Sequence, residues 1–182
     1  MHGVVSLLDE QSYEQVERLW AELERRFGLR GIYRTPYPHF SYHVATDYDL
    51  ERLPSVLEGI AGETAVFSIS TSSLGVFTGA NPVLYIPVVR AGALGHLHEQ
   101  VWTAVEPISS GAQVYYSPAN WLPHITLAQH DVTVKNLASV VEWLNAQHLN
   151  WQVSIDNLSL IVNRDGQQEL YGRYRLDKVQ GT

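Results

Sequence analysis

The chain has no cysteine among its 182 residues. That removes disulfides, thiolate-bound metals and cysteine nucleophiles. No apolar run approaches the roughly 20 residues needed to cross a bilayer, and the N-terminus lacks the basic start and apolar centre of a signal peptide. A cytoplasmic location and no membrane partner are therefore expected. Positive charge is also scarce: 12 Lys and Arg stand against 19 Asp and Glu, a formal net charge of −7. A protein that neutralises many phosphates at once needs a basic stripe. The densest basic group, Arg25, Arg26, Arg30 and Arg34, reads instead as the solvated end of a helix. No grip on long nucleic acid is expected, and a small or short anionic ligand fits better. No long linker is visible, nothing resembles a coiled coil or a large amphipathic interface, and a monomer is expected. Hydrophobic residues at 45% and charged residues at 17% describe an ordinary globular chain.

What is present alternates between helical and strand periodicity. Val4 to Leu8 suits a central strand, and Ser12 opens a helix with Gln15 in capping-box position and Gly28 at its end. Further helices are expected over about Asp49 to Ala61, with Pro54 in the first turn, over Ala93 to Val105, and after Thr133 through Leu144. Strands are expected over His39 to Ala45, Ala65 to Ser70, Leu74 to Phe77, Val83 to Val89, Trp151 to Ile155, Leu158 to Asn163 and Glu169 to Leu176. Gly79 to Pro82 and Asp165–Gly166 supply the turns.

Two stretches stand out. Pro38, His39, Phe40, Ser41, Tyr42 and Pro123, His124, Ile125, Thr126, Leu127 share one pattern at a separation of 85 residues. In a strand, side chains two apart share a face, so each stretch sets an imidazole beside a hydroxyl and turns apolar residues to the other side. The surrounding sequence repeats in register. Phe67, Ser68, Ile69 match Val153, Ser154, Ile155, and Leu84, Tyr85 match Leu170, Tyr171, both at an offset of 86. A duplicated unit predicts two lobes about a pseudo-twofold axis, the first motif lobe over about 30–90 and the second over about 106–176, within one domain of 1–182.

Two imidazoles facing each other suit displacement at phosphorus: one takes a proton from the nucleophile and the other gives one to the leaving oxygen. Histidine is apt because its ordinary pKa near 6.5 allows either state near neutrality. The Ser41 and Thr126 hydroxyls can donate to phosphate oxygens as charge builds on them. Such chemistry needs neither a metal nor a cofactor.

On these residues the sequence resembles the 2H phosphoesterase superfamily, in its 2′-5′ RNA ligase and cyclic phosphodiesterase branch. That family's signature is a His, any residue, Thr or Ser, hydrophobic tetrad in each lobe, and the run Trp121 to Ala128 is its most characteristic piece here. The resemblance implies an α+β, bilobal, duplicated fold in which two antiparallel sheets line a central cleft with helices packed outside. It implies hydrolysis of 2′,3′-cyclic phosphates to 2′-phosphates, with 2′-5′ ligation in some members, and a small nucleotide or short RNA terminus as partner. His124 is then the base and His39 the acid. Two departures accompany it. Ser41 stands where threonine is usual, and Ala128, Gln129, His130 stand where ligase-like members place an arginine, so a weaker hold on phosphate is expected.

Other residues are expected at the cleft by position. His43 lies two beyond Ser41 on the same nominal face. Tyr85 and its repeat mate Tyr171 alternate with leucines and could stack on a base. Tyr37 and Trp121 enter the motif strands, with Tyr33 and Tyr115 on the same loops. His2, His96, His98, His130 and His148 have no supporting context and are taken as structural or exposed. Two competing functions are a nucleotide-binding module without turnover and a metal hydrolase built on His39, His43 and His124.

Overall fold

Local sequence sets most element ends in the computed structural model, which describes residues 1–177. After β1 (His2–Leu7), α1 (Glu10–Phe27) is capped by Asp9, whose carboxylate accepts the Ser12 N–H at 2.9 Å. The helix thus starts two residues before Ser12, because Asp9 is itself a strong cap. Its other oxygen takes the Ser154 N–H at 2.6 Å. Gly28 ends the helix in the left-handed region, and Val16, Trp20 and Leu23 form the buried stripe.

A 3-10 turn (Gly31–Arg34) leads to β2 (His39–Ala45), followed by β3 (Asp47–Tyr48) and α2 (Leu53–Gly62), with Pro54 in the first turn as expected. Then come β4 (Phe67–Ser70), β5 (Gly75–Phe77), β6 (Val83–Pro87) and α3 (Gly92–Val105). β7 (Ser109–Ser110) pairs with β3, and β8 (His124–Ala128) is the second motif strand. α4 (Leu137–Asn145) begins later than Thr133, since Asn136 accepts the Thr133 N–H at 2.7 Å and holds that residue in a preceding turn. β9 (Gln152–Ile155), β10 (Asn157–Arg164) and β11 (Gln167–Arg175) close the chain. Asp165 and Gly166, with φ of 52° and 85°, make the two-residue turn between the last two.

Two antiparallel sheets carry the motifs. One runs β11-β10-β1-β2 and the other β5-β6-β8. β4 and β9 pair antiparallel between the repeats, with Ser68 opposite Ser154, so equivalent residues meet on the pseudo-twofold axis. Each sheet draws strands from both of the spans 30–90 and 106–176, because the hairpin after each repeat crosses over. The repeat consequently begins one strand earlier than the sequence offset suggests: β1-α1-β2-α2-β4-β5 corresponds to β6-α3-β8-α4-β9-β10, and β11 is an addition at the outer edge. The helices cross as well, α1 packing on β8 and α3 on β2.

The register carries the equivalence down to single residues. β1 sets Leu7 opposite His39, Ser6 opposite Phe40 and Val5 opposite Ser41; β6 sets Pro87 opposite His124, Ile86 opposite Ile125 and Tyr85 opposite Thr126. Both ladders then slip, so Tyr42 and Leu127 are bulge residues and pairing resumes at His43 and Ala128. The structural counterpart of Tyr85 is therefore Val5, and Tyr171 is not its mate.

The bulge also corrects the expectation for His43. It shifts the side-chain alternation by one, so His43 is fully buried on the core side and Val44 turns to the cleft. Its Nδ1–H donates to the Tyr48 hydroxyl at 2.9 Å, that hydroxyl donates to the His43 carbonyl at 3.1 Å, and Nε2 has no partner. Burial holds this imidazole at about 4, with His98 adding to the effect. A folded-state pKa below the unfolded value near 6.5 means that the unfolded chain binds more protons in between. Stability from this residue is complete above about pH 6.5 and is lost as pH falls toward 4. Urea midpoints at pH 7 and pH 5 should differ for the wild type, and His43→Phe should narrow the difference.

Candidate active site

Each motif strand begins immediately after a proline. Pro38 and Pro123 have no N–H and bias the preceding residue to extended backbone, which brings the carbonyl two residues back over the imidazole. His39 Nδ1–H donates to the Tyr37 carbonyl at 2.5 Å, and His124 Nδ1–H donates to the Leu122 carbonyl at 2.7 Å. A carbonyl only accepts, so both rings are fixed in one tautomer with Nε2 unprotonated in the neutral form. The proline carbonyls are held alike, by Leu8 N–H at 3.3 Å and Val88 N–H at 3.0 Å.

The bulges fix what comes next. At the interrupted step of each ladder the carbonyl of the hydroxyl residue receives an indole N–H from the other half of the chain: Trp121 Nε1 donates to Ser41 at 2.8 Å and Trp20 Nε1 to Thr126 at 3.1 Å. Trp121 is itself buried, stacked on His98 with ring centroids 3.8 Å apart and planes 3° from parallel, and on Tyr42 at 5.8 Å. His98 donates from Nε2 to the Tyr116 carbonyl at 2.8 Å. Trp121 is therefore a structural pin and not a cleft residue, contrary to the sequence expectation. An aromatic at the entry of a strand could equally face in, and here the stack with His98 turns it in.

His39, Ser41, His124 and Thr126 line one cavity of about 1100 Å³ between the sheets. Burial lowers His39 to about 4, against the pull of the Tyr37 carbonyl and with a small contribution from the nearby His124 ring. Burial lowers His124 too, opposed by the Leu122 carbonyl. Tyr85 does not line the wall but backs His124, ring centroids 5.1 Å apart, and stacks on Phe77 at 4.1 Å; Phe77 meets His124 edge-on at 4.9 Å. Gly75 lacks the Cβ that would strike the Tyr85 ring, which lets that ring lie across β5. Tyr37 lines the cavity as expected, its hydroxyl accepting the Leu170 N–H at 3.4 Å. Tyr171 does not, because the slip between Leu160 and Ile161 makes it the bulge residue of β11, beside Tyr174.

The sequence reading missed several wall residues. Phe77 reaches His124 only through the β5-β6 register. Tyr116 brings its phenol to Ser41, burial raising its pKa and the Ser41 hydroxyl opposing. Arg34 is exposed, as expected for the basic cluster, but it also borders the cavity because the 3-10 turn faces it, and His2, Gln129 and His130 line the cavity as well. Among the described residues no Asp or Glu lines the wall. The three imidazoles considered for a metal set are divided, since the bulge carries His43 to the far side of β2.

A family model described as the 2′-5′ RNA ligase superfamily matches residues 8–167. The chain belongs to this superfamily. Its members are 2H phosphoesterases, and the matched span contains both His39–Tyr42 and His124–Leu127. The fold is similar to that of TT0787 of Thermus thermophilus, with a TM-score of 0.67 and 16% identity over 96% of this chain and 97% of that one. It is also similar to a structure described as a phosphoesterase, with a TM-score of 0.59 and 15% identity over 97% and 98% of the two chains. No curated protein sequence matches the chain. Within this 2H phosphoesterase fold the two indole pins should be equivalent. Trp20→Phe and Trp121→Phe each leave a carbonyl without its donor and should lower unfolding free energy by about 1–2 kcal/mol, read from urea denaturation.

Proposed function

We propose that the protein hydrolyses 2′,3′-cyclic phosphates, at a short RNA end or on a small nucleotide, to 2′-phosphates. The observation that carries this reading is the cavity wall itself: two imidazoles with unprotonated Nε2 atoms, a hydroxyl beside each, and, among the described residues, none of the chain's 19 Asp and Glu. Such a wall favours an anion. The superfamily supports phosphoesterase or ligase chemistry.

His124 Nε2 takes a proton from water as its oxygen attacks phosphorus. The P–O3′ bond breaks, protonated His39 gives its proton to O3′, and a 2′-phosphate leaves. Ser41 and Thr126 donate to the non-bridging oxygens, where charge accumulates. Solvent then restores both rings. With a 5′-hydroxyl in place of water, the same displacement would form a 2′-5′ linkage.

Both imidazoles are held neutral by burial, so the acid requires help to acquire its proton. A phosphate anion between the rings supplies it, since a nearby negative charge favours imidazolium. The pH profile follows. In kcat/KM, which reports the free enzyme, both limbs should lie below the ordinary value of 6.5, with the optimum on the acid side; in kcat they should move upward. Hydrolysis of the four nucleoside 2′,3′-cyclic phosphates, followed with 2′ and 3′ products resolved, should give 2′-phosphate. His39→Ala and His124→Ala should each lose at least about 10²-fold while still unfolding in a single cooperative urea transition. Wild-type rates in either variant would remove the mechanism. Nucleotide binding without turnover by the wild type would favour a binding module.

A further inference from the structure

Beyond the two motifs, the cavity wall carries one guanidinium among the described residues, that of Arg34. Arg34 lines the cavity from the 3-10 turn, and Gln129 and His130 line it from the segment that follows β8. These pieces are joined. The Asp131 carboxylate accepts the backbone N–H of Arg30 at 2.5 Å and of Gly31 at 2.6 Å, and Gly31 lies so close to the Gln129 carbonyl that any Cβ there would strike it. The turn is thereby clamped to the chain just past β8. His130 is held at φ 72°, an uncommon conformation for a non-glycine residue, and its side chain is exposed at the wall.

The electrostatics are one-sided. Arg34 is the one Arg or Lys at the wall among the described residues, and it makes no ion pair there. Asp131, the acid of the clamp, does not line the cavity; its Oδ2 accepts both backbone N–H groups, and its Oδ1 is buried without a partner behind the turn. A guanidinium offers a planar fork of donors matched to phosphate oxygens.

We infer that Arg34, with Gln129 and His130 beside it, forms a second phosphate subsite, so that the preferred ligand carries another phosphate besides the one between His39 and His124. The inference rests on the proposed reading of the cavity as a nucleotide site. The second phosphate is either a 5′-monoester on the same nucleoside or the phosphodiester leading to it in a short chain.

The test uses product-state ligands and needs no turnover. Adenosine 2′-phosphate, adenosine 2′,5′-bisphosphate and an adenylyl dinucleotide ending in a 2′-phosphate are titrated calorimetrically into wild type and Arg34→Gln. The wild type should bind one of the latter two about tenfold more tightly than the first, and which of them it is identifies the source of the phosphate. Arg34→Gln should bring that ratio close to one. Gly31→Ala, which pushes the turn off Gln129, should reduce the ratio as well. Equal affinities in the wild type, or a ratio unchanged in Arg34→Gln, would overturn the subsite. Hydrolysis of cyclic phosphates measured in parallel separates the two readings. Turnover without the ratio removes only the subsite. The ratio without turnover removes the phosphoesterase reading and leaves the subsite in place.

Discussion

Two hydrogen bonds from tryptophan to the backbone hold the site together. Trp121 donates to the Ser41 carbonyl and Trp20 to that of Thr126, each at a step where a bulge has broken the strand ladder. A bulge lets two consecutive residues turn inward, so Tyr42 with His43, and Leu127 with Ala128, anchor the second half of each motif strand in the core. The first half is left to present its imidazole and hydroxyl to the cavity. An unpaired carbonyl at that step would be costly in a buried setting, and an indole is a donor that brings its own apolar surface. Because each indole comes from the opposite half of the chain, the same bonds also fasten the two sheets to one another.

The chemistry then follows from where charge is missing. A chain with net charge −7 keeps every carboxylate among the described residues off the cavity wall, so an anion entering it meets no repulsion at close range. Burial keeps His39 and His124 neutral, and the carbonyls of Tyr37 and Leu122 fix their tautomers. In the proposed reaction, a negative ligand is what would place a proton on either ring. Phe77 and Tyr85 wall in His124 with aromatic edges, which lowers its access to water without adding charge.

The duplication is deeper in space than in sequence. Ser68 facing Ser154 puts the axis between β4 and β9, and the β5-β6 and β10-β11 hairpins then join the sheets of the opposite motifs. Matching of letters at an offset of 86 placed Tyr85 with Tyr171, yet strand pairing equates Tyr85 with Val5. Identical residues at equal spacing therefore misled where the repeat unit had been cut one strand too late. Tyr85 gained contact with His124 through β6 pairing, while Tyr171 fell on a bulge at the sheet edge.

The sequence by itself determined the elements and the motif pair. Proline before each histidine, hydroxyls two residues on, apolar alternates, and helix caps such as Gly28 act over a few residues, and short-range geometry is written in short-range sequence. It did not determine which side His43 would take, because alternation assumes an unbroken ladder and a bulge is a property of two paired strands. Nor could it show that Trp121 stacks on His98, that exposed Arg34 borders the cavity, or that acids among the described residues stay off the wall. Those outcomes depend on partners up to about a hundred residues away, such as Arg30 and Gly31 with Asp131. Only the packing of one half of the chain on the other brings such partners together.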